Sequence, residues 1–119
     1  MITRTVQKSE WNKFFNLVSK SIEGQEVEIE VSGLEIGDQI EADWVPFDGI
    51  SYDPKTDYIF VHTPLLDHTI VHPSTVLVAE EENTIVAINI TDDETIQILQ
   101  FRPSLEIPQE RRAELENRP

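Results

Sequence analysis

The feature that most limits what this chain can fold into is the stretch Gln25-Glu26-Val27-Glu28-Ile29-Glu30-Val31. Apolar and acidic residues alternate there without a break. A helix would scatter both classes around its surface. An extended strand sends Val27, Ile29 and Val31 to one side and Glu26, Glu28 and Glu30 to the other. The chain therefore holds a strand with one apolar face to bury and one acidic face for solvent.

A cover for the apolar face precedes it. Trp11, Phe14, Phe15, Val18 and Ile22 recur at helical spacing, with Lys13 and Lys20 elsewhere on the wheel. Ser9 reads as the helix N-cap, with Glu10 at the positive helix end and Gly24 as a stop. After the acidic strand the alternation returns in Gln39–Val45, placing Ile40, Ala42 and Trp44 on one side and Glu41 and Asp43 on the other. Pro46 ends that strand. Asp53-Pro54-Lys55-Thr56-Asp57 is a turn signal between Gly49–Tyr52 and Tyr58–His62, so the two segments read as a hairpin. His68–His72, Thr75–Glu80, Thr84–Thr91 and Thr95–Phe101 are further short strand candidates.

These elements predict an α+β fold, with one N-terminal amphipathic helix packed on a mainly antiparallel sheet of six to seven short strands. The sheet either stays open or curls into a small barrel or half-barrel, with Trp44 in a shared interior. Residues 1–103 read as a single domain, the usual content of 119 residues. Residues 104–119 read as a polar C-terminal tail or short helix, with Leu105 and Ile107 candidates for packing back on the domain.

Charge narrows the function classes. Nine Lys and Arg face 23 Asp and Glu, a net of −14. Between Ser21 and Phe101 the only basic residue is Lys55, against 18 acidic ones. Such a field repels nucleic acid backbones and anionic membranes and attracts cations and basic proteins. No apolar run approaches the ~20 residues that span a bilayer. The start MITRTVQKSEW has no secretory apolar segment, and there are no cysteines. A cytoplasmic protein is expected, with no membrane and no direct nucleic-acid binding. No P-loop, dinucleotide fingerprint or nucleophile elbow occurs.

The acidic faces supply the first candidate site. Glu26, Glu28, Glu30, Glu41 and Asp43 are expected to meet a basic protein surface, in the manner of a non-enzymatic binding or accessory module. The alternative is a small-molecule or metal site near His62, Asp67, His68 and His72. If His68 and His72 lie on an extended segment, about 13 Å separates them, too far to share a metal ligated at about 2 Å. No cofactor is expected, and a homodimer through a strand edge or the aromatic helix is a further option. Around Asp53 and Asp57 the turn lacks EF-hand spacing, so those carboxylates are expected to build the turn.

The chain also resembles a known family. The resemblance rests on Ser9-Glu10-Trp11 with Phe14-Phe15, the Glu-rich strand, and Gly37-Asp38-Gln39-Ile40-Glu41-Ala42. It continues in Pro46-Phe47-Asp48-Gly49-Ile50-Ser51-Tyr52-Asp53-Pro54, His68-Thr69-Ile70-Val71-His72-Pro73 and Phe101-Arg102-Pro103. Together these are similar to a family of small bacterial proteins catalogued as a domain of unknown function, over roughly Thr3 to Pro103. The resemblance implies one compact domain with a variable C-terminal tail. It implies no activity, cofactor or catalytic residue.

Overall fold

The computed structural model describes residues 1–107. Nine strands and one α-helix follow in the order β1 (Ile2–Thr5), α1 (Trp11–Lys20), β2 (Glu26–Gly33), β3 (Gly37–Pro46), β4 (Gly49–Asp53), β5 (Tyr58–His62), β6 (Asp67–Val71), β7 (Thr75–Glu81), β8 (Thr84–Thr91) and β9 (Thr95–Glu106). All strand pairs are antiparallel. They form a six-stranded sheet in the order β1-β7-β8-β9-β2-β3 and a three-stranded sheet in the order β4-β5-β6. The α+β architecture is the expected one. Two separate sheets stand in place of one, and no barrel closes among the described residues, where β1 and β3 form the two edges of the large sheet.

The large sheet is one layer; the helix and the small sheet form the second. One core joins them. Trp11, Phe14, Phe15 and Val18 of the helix, Ile50, Ile59, Val61 and Ile70 of the small sheet, and the inward residues of the large sheet belong to a single buried cluster. Val27 and Ile29 belong to it and Val31 is buried on the same side, as the alternation requires. Sequence predicts the helix face, but not its start. Ser9 lies in a 3-10 turn, Lys8–Glu10, and Glu10 takes the N-cap position without a side-chain cap bond. The entry is fixed instead by Glu10 N–H on the Gln7 carbonyl at 2.8 Å and by the Trp11 indole N–H on the Val6 carbonyl at 2.9 Å.

Strand β3 departs from simple alternation. Val27 pairs with Val45, Ile29 with Ala42 and Glu30 with Ile40, so β3 gains a residue at each of two bulges. A bulge moves every following side chain to the other face. Ala42 is thus buried, while Ile40 shares the outward face with Glu30 and is 52% exposed. Trp44 has φ of 51°, a left-handed conformation uncommon for a bulky residue. It leaves the interior and lines the outer face of the large sheet. A shared interior around Trp44 is therefore corrected by the bulges.

The domain body also continues past Pro103. Strand β9 runs to Glu106 around an irregularity opposite Val86, and Leu105 and Ile107 are buried. The expected tail or short helix lies, from residue 108 onward, outside the described residues.

Candidate functional site

The outward face of the large sheet carries side chains from five of its strands. Register places Glu26 beside Arg102, Glu28 beside Gln100, and Glu30 between Ile98 and Ile40. The three glutamates form the row that the sequence implies. They are not equivalent. Glu26 Oε1 accepts from Arg102 Nε at 2.9 Å, and the Arg102 guanidinium lies 4.3 Å from the Trp44 ring centroid. Glu28 and Glu30 stand next along the strand. Glu41 and Asp43 are exposed, yet each lies at a β3 bulge, so they do not extend the row as simple alternation would have it.

Next to the row lies a groove of about 520 Å³. Its lining includes Leu77, Ala79, Ala87 and Ile98, with Trp44 and Gln100 on the β2–β3 side. Glu81 contributes to its rim. Beyond it, Ile40 and Ile96 are exposed at 52% and 46%. A strip of apolar side chains interspersed with Asn89 and Gln100, with carboxylates beside it, is thus built across one sheet face by residues from β2, β3, β7, β8 and β9.

The histidines do not converge. His62 lies opposite Asp67 on the outer face of the small sheet, and His68 lies opposite the buried Val61 on the inner face. His68 Nε2 meets Gln97 Oε1, a side chain of β9 only 6% exposed, and so ties the two sheets together. His72, with φ of 52°, lies just past β6, and its Nδ1 is 3.4 Å from Asp57 Oδ2. Among the described residues no group of three His, Asp or Glu side chains is placed to hold a metal ion.

Two further clusters emerge that spacing alone did not reveal. The first centres on Asp57. Its Oδ1 accepts from the Tyr52 hydroxyl at 2.7 Å and lies 3.1 Å from Lys8 Nζ. The Tyr52 hydrogen bond, aided by Lys8 and His72, holds the Asp57 carboxyl below its ordinary value. Burial, then the hydrogen bond and charge of Asp57, push the Tyr52 hydroxyl up to about 12. The cluster ties the chain before α1 to the β4–β5 turn, where Asp53 accepts from Lys55 N–H at 2.9 Å and the Thr56 hydroxyl at 3.2 Å. The expected turn-building role of Asp53 is the observed one.

The second cluster is Ser51-His62-Asp67. Ser51 Oγ is 3.1 Å from His62 Nε2, and His62 Nδ1 is 3.0 Å from Asp67 Oδ1. The register brings the three together: Ser51 faces Phe60 across β4–β5, two residue pairs from His62 and so on the same outward face, and His62 faces Asp67 across β5–β6. The sequence marks His62 and Asp67 as candidates but offers only the hairpin signal for Ser51, because the segment around it matches no nucleophile motif.

The fold and these surfaces define a two-layer α+β domain with two outward sheet faces. The chain belongs to the Family of unknown function (DUF5335), whose model matches residues 2–110. It is 39% identical over 111 residues to an uncharacterised protein of Aquifex aeolicus (strain VF5), covering 92% of this chain and all of that one. The match to a family of unknown function is the one its distributed motifs implied. No solved structure matches. Among the described residues no helix is long and apolar enough to cross a membrane.

Proposed function

We propose that this domain is a protein-binding module that takes a basic partner on the outer face of its large sheet. The observation that supports this reading is the groove on that face with Glu28 and Glu30 beside it. Leu77, Ala79 and Ile98 in its mixed lining reward contact, and the carboxylates beside it select the partner's sign. Trp44 strengthens the case. A tryptophan with positive φ, directed outward by a bulge, costs folding energy that its place in the groove offers a reason for. Large aromatic side chains are also enriched among the residues that dominate interface energetics. A second copy is the poorer occupant, because a face-to-face dimer would bring two Glu28–Glu30 rows together in a chain of net charge −14.

The test is capture from a cell lysate on immobilised protein at low and moderate salt, then reassay with the purified partner. A basic partner is expected to bind at low salt and to weaken as salt screens the charges. The Glu28→Lys/Glu30→Lys double variant should fold normally and lose at least tenfold in affinity. Binding unchanged in that variant would remove the outer face as the site.

A further inference from the structure

We infer that Ser51, His62 and Asp67 form a nucleophilic relay able to cleave activated esters on the outer face of the small sheet. This inference does not depend on the binding role of the other sheet. A weak nucleophile is recognised by a base within hydrogen-bond reach that is itself oriented by a third group. Both links are present, at 3.1 Å and 3.0 Å. The proton positions follow from chemistry. The Asp67 carboxylate only accepts, so His62 Nδ1 carries the proton that faces it. In the neutral imidazole Nε2 is then the acceptor, and the Ser51 hydroxyl donates to it. That is the tautomer a serine nucleophile needs.

The surroundings say what such a relay would act on. Phe60 lies opposite Ser51 in the β4–β5 register and beside His62 on β5, with ring centroids 6.3 Å apart and planes inclined by 20°. Tyr58 continues the row, 6.1 Å from Phe60. A flat ring resting on Phe60 therefore brings an attached acyl group to Ser51. Anions are repelled by the field of the chain. The substrate class is a neutral ester of an aromatic alcohol. The relay is open to water, with His62 and Asp67 side chains 38% and 62% exposed, so a good leaving group is required.

In the step, Ser51 Oγ forms a bond to the ester carbonyl carbon while His62 Nε2 takes its proton. The bond from carbon to the aryl oxygen breaks, and the His62 proton goes to the departing aryloxide. Water then attacks the acyl-serine, gives a proton to His62, and releases the carboxylic acid as Ser51 recovers its proton. His62 acts on the reacting atoms, and Asp67 is a positioning residue.

The experiment measures hydrolysis of p-nitrophenyl acetate by the full chain, with a fluorophosphonate probe as a second readout. The wild-type protein is expected to hydrolyse the ester at least tenfold faster than Ser51→Ala, and the probe should label Ser51 by peptide mass mapping. Asp67→Asn should lower kcat with KM little changed and move the midpoint of the rate–pH profile, which a purely structural role would not do. Melting curves on all variants establish that they fold; Ser51→Cys keeps a nucleophile in place and should be alkylated faster than free cysteine. Equal rates for wild type and Ser51→Ala, or a label that falls elsewhere, would overturn the relay.

Discussion

Replacing Leu105 by alanine tests whether the core stops at Pro103 or takes in Leu105 and Ile107. Leu105 is fully buried and sits opposite Ile85, itself 1% exposed, in the β8–β9 ladder. Truncating such a leucine loses the transfer energy of the removed methyl groups and leaves a cavity, together about 2–5 kcal/mol. Leu105 belongs to the one core cluster shared by the helix and both sheets, so we expect about 3 kcal/mol, within that range. For a domain of this size the melting temperature should fall by roughly 10–20 °C. Urea unfolding followed through the buried Trp11 gives the free energy directly, and the slope with urea should stay unchanged. Leu65→Ala is the control, because Leu65 is 79% exposed and surface changes usually stay within about 0.5 kcal/mol. A loss below about 1 kcal/mol for Leu105→Ala would refute the packing argument. Residues 104–107 would then lie outside the core, and the boundary at 103 would stand.

The other predictions concern charge and capping. The Tyr52 hydroxyl, raised to about 12 from its ordinary 10, binds its proton more tightly folded than unfolded. Its contribution is therefore whole below pH 10 and is lost as pH rises toward 12. Tyrosinate absorbance should show one tyrosine titrating late, and Asp57→Asn should bring it earlier. Asp92 behaves with the opposite sign. Burial works against its charge, but Glu94 and Thr95 N–H groups and the Thr95 hydroxyl hold its carboxyl below the ordinary value. Asp92→Ala should cost about 1–2 kcal/mol at neutral pH. The difference should fade as the wild-type carboxylate protonates below the usual aspartate range, seen in melts from pH 7 to pH 2, about two units below the unfolded value. Arg102→Ala should change stability by no more than about 1 kcal/mol, since its pair with Glu26 is exposed. It should nonetheless alter Trp44 fluorescence, because the guanidinium over the ring is lost.

Periodicity carried the reading where a single face decides burial. The row Val27, Ile29 and Val31 and the helix stripe Trp11, Phe14, Phe15 and Val18 are all buried. It failed where an extra residue breaks the count. Two β3 bulges turn Ile40 outward and move Trp44 out of the interior, and bulges leave no composition signal. Strand β1 escaped notice because Ile2-Thr3-Arg4-Thr5 is exposed throughout and is held by its ladder to β7. The Ser51-His62-Asp67 relay depends on register across β4, β5 and β6, which no local window contains. The glutamate row was legible because it needs only one strand. The groove beside it was not, because it is assembled from strands distant in the chain.

The two candidate surfaces should be separable for a physical reason. Each sheet turns its inner face to one shared core and its outer face to solvent, and packed sheets stand about 10 Å apart. Glu28 and Glu30 point away from the small sheet, and Ser51, His62 and Asp67 point away from the large one. Substitutions that far apart, with no shared partner, usually add. A chain carrying Glu28→Lys, Glu30→Lys and Ser51→Ala together should therefore show the sum of the separate stability changes. It should lose partner binding to the same extent as the double variant, and ester cleavage to the same extent as the single one. Coupling between the two would mean that the core transmits between its faces. The bridge most exposed to that strain is His68 on Gln97, the one side-chain hydrogen bond among those described above that joins the inner faces of the two sheets. His68→Ala would then abolish the coupling while leaving both outer faces chemically intact.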